Sequence, residues 1–393
     1  MAGPLNWYRI VDLTRMIAGP MATMILGDQG ADVIKVEAPG IGDLTRAFAG
    51  PRHQMAPMFA IANRNKRSMV LNLNDARAVA VLERLVATAD VLVHNFRPGV
   101  VRKLGIAEET MRRVRPDLIY VSISGFGETG PYAHKRSYDP VIQALSGLAW
   151  IQGVIDRPSM IRLIIADKVT ALTAAQAITA ALLERARSAS GQHVKLAMLD
   201  AVIAFLWAEG MAHYTFFGEQ RETHPAPARI RVLVFETADG FITAGTNSDA
   251  EWQALAAALE HPEWLTDANF KTPAARERNA ESRLELMAGV LRTGTSAHWL
   301  ARLEEHGVPC APILNRWEML NHPQVKENGI VIESEHPHAG RIRQPRPPAR
   351  FDRTPSAMPT PAPLLGEHTR ELLNEIGVAA QEIQRLYETG VVQ

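Results

Sequence analysis

The chain has 393 residues, 47% hydrophobic and 21% charged, which is ordinary globular material and enough for one large unit plus a smaller one. Lys plus Arg and Asp plus Glu number 42 each, so no net field draws the chain to nucleic acid or to a membrane surface, and an anionic ligand must be met by a local basic cluster. The single cysteine, Cys310, excludes an internal disulfide and a thiolate metal cluster, and within VPCAPIL it reads as a small buried hydrophobe.

The N-terminus lacks the basic stretch and apolar core of a secretory signal, and no run reaches the roughly 18 apolar residues of a spanning helix. A cytoplasmic protein is expected. Arg9 to Leu13 reads as a strand, a helix rich in small residues runs from about Gly19 to Asp28, and Val33 to Glu37 is a second strand. That is the spacing of a parallel βαβ unit, without the G-x-G-x-x-G of a dinucleotide site. Ser68 to Leu73 is strand-like; Asn74 and Asp75 then cap a helix with Ala78, Val81, Leu82 and Leu85 at helical spacing. Val91 to Val93 and Leu118 to Ile123 are further strands. Such alternation predicts a doubly wound parallel sheet with ligand loops at the carboxyl ends of its strands. The turns Met16 to Ala18, His94 to Gly99 and Gly125 to Gly130 sit at those ends and face one crevice in this reading.

Tyr138-Asp139-Pro140 opens a helix, Asp167 precedes a longer one, Gln192 to Met198 is a strand and Leu199 to about Phe217 an apolar helix. The organisation that follows is a large domain from residues 1–216, a polar, proline-containing linker at 217–229 and a small α+β domain at 230–324. A return segment at 325–393 completes the large domain; it starts as loops rich in His, Pro and Arg and ends in two amphipathic helices.

For chemistry, the residues alone leave alternatives open. An Asp before a helix is an N-cap or, beside a ligand-accepting glycine turn, a nucleophile. Tyr138 reads as packing and Asp139 as a helix starter. The basic residues Arg64, Lys66, Arg67, Arg97, Arg102, Lys103, Lys135 and Arg136 form either a solvated face or a cradle for a polyphosphate. No metal-ligand spacing, nucleophile elbow or P-loop is present.

The stretches VDLTRMIAGPMATMILGDQGADVIKVEAPGIGD, NRNKRSMVLNLN, VLVHNFRPGVVRKLGI, GFGETGPYAHKRSYDPVIQALSG, IIADKVTALTAAQAI, SGQHVKLAMLDA, GVPCAP and PAPLLGEHTREL carry a family likeness. In this order, over nearly the whole length, the chain resembles the class III CoA-transferase family (CaiB/BaiF type), which includes formyl-CoA transferase, carnitine CoA-transferase and the 2-methylacyl-CoA racemases. The resemblance implies a Rossmann-like large domain, a small domain and an interlocked homodimer, acting on an acyl-CoA and a small carboxylic acid with no tightly bound cofactor and no metal. It implies that Asp167 is the acyl carrier, passing through a mixed anhydride and an aspartyl-CoA thioester. It further implies that Ile17, Ala18, Leu71, Asn72, Leu73, Asn74, Asn95, Phe96, Arg97, Lys103, Gly125, Arg136, Ser137, Tyr138 and Asp139 bind CoA or substrate.

One departure is Ala38, where formyl-CoA transferase has an arginine; Arg64, Arg67, Arg97 and Lys103 are then the candidates for the CoA phosphates. Racemases carry His where this chain has Tyr138, and a phenol that ordinarily titrates near pH ~10 is a poor base at neutrality. The resemblance thus implies transfer; Arg and His residues near the cleft could pair with a second carboxylate, which leans the reading toward succinyl-CoA as donor and a small dicarboxylate as acceptor. A racemase or epimerase, and a non-catalytic CoA-binding protein, are the alternatives.

Overall fold

Six short apolar runs build the sheet of the larger unit: β1 (Arg9–Asp12), β2 (Asp32–Glu37), β3 (Lys66–Val70), β4 (Val91–His94), β5 (Ile119–Ser124) and β6 (His193–Ala197). All pair in parallel, in the order β3-β2-β1-β4-β5-β6. The order reverses between β1 and β4, and the crevice outside the carboxyl ends of such strands is where doubly wound sheets take ligands. The computed structural model describes residues 3–48, 50, 52, 55–153, 157–211, 214–217 and 233–393.

The strands are apolar on both sides because helices cover both faces. The connecting helices are α1 (Ala18–Asp28), α2 (Pro57–Ala62), α3 (Ala76–Val86), α4 (Val100–Lys103), α5 (Glu108–Val114), α6 (Asp139–Leu145), α7 (Leu148–Gln152), α8 (Ile165–Ser188) and α9 (Met198–Gly210). On one face Ile10, Val33, Val91 and Ile119 pack with Ala22 and Leu26 of α1 and Ala171, Ala175 and Ile178 of α8. On the other face Val11, Ile34, Met69 and Tyr120 pack with Val81, Leu82 and Leu85 of α3. Leu372, Leu373, Ile383 and Leu386, from the last helices of the chain, close that second face. The expected helix from Leu199 to Phe217 ends earlier, at Gly210.

The chain divides into two compact units, Met1–Ala228 with Gly329–Gln393, and Arg229–Asn328. The linker expected at 217–229 lies outside the described residues apart from Phe217. The smaller unit has an antiparallel sheet of β7 (Phe235–Glu236), β8 (Phe241–Ala244) and β9 (Cys310–Pro312). Helices α10 (Asp249–Ala258), α11 (Pro273–Arg278), α12 (Ala280–Leu291), α13 (Ser296–Glu305), α14 (Arg316–Asn321) and α15 (Pro323–Asn328) accompany it. Its core gathers Trp252, Trp264, Phe270 and Trp299 around Leu255 and Ile242. Cys310, expected to be buried, is half-buried in β9 opposite Ala244.

The return segment departs from the loops expected of it. Val331–His336 (β10) and Gly340–Pro345 (β11) form an antiparallel hairpin. Its period-two alternation is hidden because inward-facing positions such as Ser334, His336 and Gln344 are polar. Glu333, Arg341 and Arg343 alternate on the exposed side, where Glu333 pairs with both arginines. The two terminal helices are present, α16 (Thr369–Glu375) and α17 (Ala380–Glu388). Among the described residues no helix is long and apolar enough to cross a membrane.

Candidate active site

The β1–α1 loop is held from beneath by charges that the sheet buries completely. Asp12 closes β1 and accepts from the Thr14 amide (2.9 Å) and the Thr23 hydroxyl (2.7 Å). Lys66 of β3 donates to Asp12 (2.9 Å), to the Pro20 carbonyl (2.8 Å) and to Asn63 (2.9 Å). Lys35 of β2 donates to the Thr14 carbonyl and to Asp43, both at 3.0 Å. Burial alone would raise the Asp12 carboxyl, but Lys66 and Lys35 hold it well below the ordinary carboxylate range. Burial, helped by the repulsion of Lys35, brings the Lys66 ammonium down to about 8. Satisfied charges of this kind fix one geometry. Here they fix Leu13 to Pro20.

Within that loop Met16 takes a left-handed backbone at φ 67, which costs an L-residue roughly 1–3 kcal/mol. Its amide donates to Asp43 (3.3 Å). The neighbouring Arg15 is tied to the β4 outlet, since Asn95 accepts from the Arg15 amide (2.9 Å) and donates to its carbonyl (2.8 Å). Asn95 thus bridges the two strand ends that flank the reversal in strand order. The Arg15 guanidinium lies over the Phe96 ring, 5.5 Å from its centroid. His94 accepts the Phe96 amide (3.3 Å) and stacks on its ring.

Asp167 faces this loop from α8. It lies in the first turn of that helix rather than before it, so it is not the N-cap; Ile164 holds the cap position and offers no side-chain bond. The capping acceptor comes from another helix. Asp139, in the first turn of α6, accepts the amides of Ala166 (2.6 Å) and Asp167 (3.2 Å). Gln143, one turn on, donates to the other Asp139 oxygen (2.5 Å) and accepts the Ile161 amide (3.0 Å). Burial first, then the nearby Asp139 charge, raise the Asp167 carboxyl from 3.8 to about 6, against the Ala18 amide that donates to it. A half-buried acid of this kind is about ten to one ionised at pH 7 and more basic than an exposed aspartate.

Asp167 opens on a cleft of about 640 Å³ that also takes in Ala18, Leu71, Asn72, Leu73, Asn74, Asn95, Phe96, Arg97, Gly125, Arg136, Ser137 and Tyr138. Gly125 is required where it stands: a Cβ there would meet the Ser137 hydroxyl at 2.1 Å, so β5 and the 133–138 loop approach backbone to side chain. Three of the expected contact residues are not among those that line the cleft: Ile17 is buried at the start of α1 between Met16 and Ala18 of the wall, Lys103 is exposed on α4, and Asp139 is buried with its oxygens occupied. Asp139 therefore acts on the site through the backbone of α8.

Two candidates for phosphates are also spent. Arg64 is buried in a two-pronged pair with Asp28 (2.9 and 2.6 Å) and donates to the Pro345 carbonyl. Arg67 pairs with Asp32, Glu371 and Glu375. The cations on the cleft wall are Arg15, Arg97, Lys135 and Arg136. Sequence reasoning missed Arg15 and gave Gln143 no role. The signal for the first was its place in the turn with Ala18, and for the second its spacing one helical turn after Asp139.

The chain matches the model of CoA-transferase family III over residues 5–369. It is 35% identical to the mouse (Mus musculus) succinyl-CoA:glutarate CoA-transferase, covering 99% of this chain and 90% of that protein. It is 32% identical to the succinyl-CoA–D-citramalate CoA-transferase of Chloroflexus aurantiacus, covering 99% and 98% of the two chains. The solved structure of Rv3272 from M. tuberculosis superposes with a TM-score of 0.83 at 30% identity, covering 95% of this chain and 99% of that one. A doubly wound sheet, an acid at the switch-point crevice and this extent of likeness identify the chain as a member of CoA-transferase family III, an enzyme whose substrates are CoA thioesters and carboxylic acids.

Proposed function

We propose that the enzyme moves CoA from succinyl-CoA to a small dicarboxylic acid, with Asp167 as the covalent carrier. The observation that carries this reading is Asp167 itself: an acid of raised basicity, on the cleft wall, held at the Ala18 amide. The donor and acceptor classes are supported by the mouse and Chloroflexus aurantiacus relatives, whose names pair succinyl-CoA with glutarate and with D-citramalate.

The Asp167 carboxylate attacks the thioester carbonyl, the C–S bond breaks, and CoA leaves as thiolate with a mixed anhydride on Asp167. The thiolate then attacks the Asp167 carbonyl carbon, expels the donor carboxylate and leaves an aspartyl-CoA thioester. The acceptor carboxylate attacks that thioester and forms a second anhydride; the released thiolate attacks the acceptor acyl carbon and restores the Asp167 carboxylate. One thioester replaces another, so no energy source is needed. Each tetrahedral oxyanion requires donors, and the Ala18 amide and the Gly125 amide are backbone candidates on the cleft wall. Arg97, Lys135 and Arg136 supply positive charge for the CoA phosphates. The working form in this reading is an interlocked homodimer, in keeping with Phe205 and Trp207 of α9, which are 59% and 45% exposed.

Incubation with succinyl-CoA and hydroxylamine should place a hydroxamate on the Asp167 peptide, read by mass spectrometry, and a panel of carboxylic acids should give the acceptor's CoA thioester. A hydroxamate elsewhere, or turnover retained in Asp167→Ala, overturns the mechanism. Exchange of the α-proton with heavy water in the absence of acceptor would establish racemase chemistry instead.

A further inference from the structure

The late motif PAPLLGEHTREL takes no part in the chemistry above, yet it lies against the outer edge of the sheet. β3 is the outermost strand on its side. The amides of Ser68 and Val70, and of Asn72 just beyond the strand, point away from β2 and need other acceptors. The C-terminal segment supplies all of them. Ser68 donates to His368 Nδ1 (3.2 Å), Val70 to the Thr369 hydroxyl (3.1 Å) and Asn72 to the Val391 carbonyl (2.9 Å). Thr369, with no exposed surface, passes its own hydroxyl hydrogen to the Gln393 carbonyl (2.8 Å). The Gln393 side chain in turn accepts the Gly40 amide (3.0 Å). Gly366, at φ +71, approaches so closely that a Cβ would stand 2.5 Å from the Gln393 carbonyl oxygen.

Protection of an edge strand explains the bonds to Ser68 and Val70. It does not explain why the cover runs on to Asn72 and Gly40. Those two residues belong to the outlets of β3 and β2, and Ala38, Leu44 and Leu71–Asn74 of the same outlets wall the cleft. β2 and β3 lie on the far side of β1 from β5, whose outlet carries Gly125 near Asp167. Val391 and Val392 are buried in the same core as Leu71, which anchors the segment.

We propose that Thr369 and the segment Val391–Gln393 are positioning elements for the nucleotide end of the bound CoA thioester, acting through the outlets of β2 and β3. The inference rests on the reading that this cleft takes CoA with its thioester at Asp167. The Thr369 hydroxyl is the joint: it ties the strand that feeds Leu71–Asn74 to the C-terminal residue that holds Gly40. In this reading the nucleotide of the CoA thioester lies at these outlets, and a substrate truncated to the pantetheine arm lacks the group they meet.

The test compares Thr369→Val, which keeps the shape and loses the hydroxyl, with Thr369→Ser, which keeps the hydroxyl. Gln393→Leu and Gln393→Glu form a second pair at a less buried position. Steady-state kinetics with succinyl-CoA should show KM raised roughly three- to tenfold in Gln393→Leu, which loses one hydrogen bond, and by at least as much in Thr369→Val, which loses both the bond from the Val70 amide and the bond to Gln393. In both, kcat and the acceptor KM should stay within twofold of the parent, Thr369→Ser and Gln393→Glu should recover the parent KM, and the KM for succinyl-pantetheine should not move. Unchanged KM for succinyl-CoA in both disruptive variants overturns the proposal. So does an equal rise in KM for the pantetheine thioester, or a fall in kcat and melting temperature with KM unchanged, the mark of a purely structural role. Phe96→Ala separates the two levels of inference. If it leaves CoA affinity intact by calorimetry, the assignment of the cleft to CoA fails; if it weakens CoA while Thr369→Val does not, only the positioning role fails.

Discussion

The Asp139 carboxylate sits beneath the first turn of α8 and accepts the amide of Asp167 at 3.2 Å, so one acid holds the backbone of the other while repelling its side chain. A negative group is expected at a helix N-terminus, where the free amides gather positive potential. Here that group comes from α6 instead of the sequence just ahead of α8, where Leu163 and Ile164 are apolar and cannot cap. The arrangement leaves the Asp167 carboxylate uncommitted to capping and therefore open to the cleft.

A pH profile follows from this pair. Burial and the Asp139 charge raise Asp167 to about 6, and only its ionised form can attack a thioester. kcat/KM should therefore fall about tenfold per unit below pH ~6 and level off above it. Asp139→Asn removes the repulsion and its amide oxygen can still accept from Ala166, although its amide nitrogen then meets the Gln143 donor. The acid limb should therefore move down by less than the whole rise, burial being the larger cause. A limb that stays in place would show that burial alone sets the Asp167 value.

Stability should respond to the same group with a defined sign. The native Asp167 holds its proton to about pH 6, whereas the unfolded carboxyl releases it near 3.8. Between those values the native state binds more protons, so the contribution of this group to stability falls as pH rises through the window. Asp167→Asn carries no charge to bury. It should be more stable than the parent by about 3 kcal/mol at pH 8, with the difference vanishing toward pH 4. Denaturant titrations at the two pH values measure it, and a variant less stable at pH 8 would contradict the electrostatic account.

Much of the fold was legible in the sequence, and what was not has physical causes. Strand–helix alternation from Arg9 to Met198 revealed the parallel sheet because both of its faces are covered and the strands are mostly apolar, with Asp12, Lys35 and Lys66 as buried exceptions. The outlet turns at Met16, His94 and Gly125 were readable as glycine, proline and asparagine clusters. The charges were not. Arg64 and Arg67 look like free cations in ANRNKRS, yet their partners Asp28, Asp32, Glu371 and Glu375 are remote in sequence and only the fold assembles them. Asp139 likewise has the look of a ligand residue, and its burial against α8 is a tertiary fact. The β10–β11 hairpin escaped notice because three of its inward positions, Ser334, His336 and Gln344, are polar.

Asn95 should couple the two loops of the crevice. Its amide makes both bonds to the Arg15 backbone; Asn95→Ala loses both, while Asn95→Asp keeps the acceptor for the Arg15 amide but turns a carboxylate oxygen on the Arg15 carbonyl, which repels it. Each lost bond should cost about 1 kcal/mol in kcat/KM, so Asn95→Ala should fall by roughly thirtyfold and Asn95→Asp should not rescue it. Steady-state kinetics on both variants tests this, and activity equal to the parent would show that the loop does not depend on this bridge.

Gly125 offers a test in which damage should be reversible. Alanine there would bring a methyl group to 2.1 Å from the Ser137 hydroxyl and 2.6 Å from its Cβ, far inside contact distance. The 133–138 loop, which carries Lys135, Arg136 and Tyr138 on the cleft wall, would have to move. Overpacking of this kind costs about 1–3 kcal/mol, and a loop displaced by an ångström loses activity out of proportion to stability. Gly125→Ala should therefore lower kcat/KM by about a hundredfold. Adding Ser137→Gly removes both atoms that clash, and the double variant should recover most of that loss even though Ser137 itself lines the cleft. The coupling in this cycle should exceed about 1 kcal/mol. Additive effects would place the fault of Gly125→Ala in its own backbone rather than in the loop it displaces.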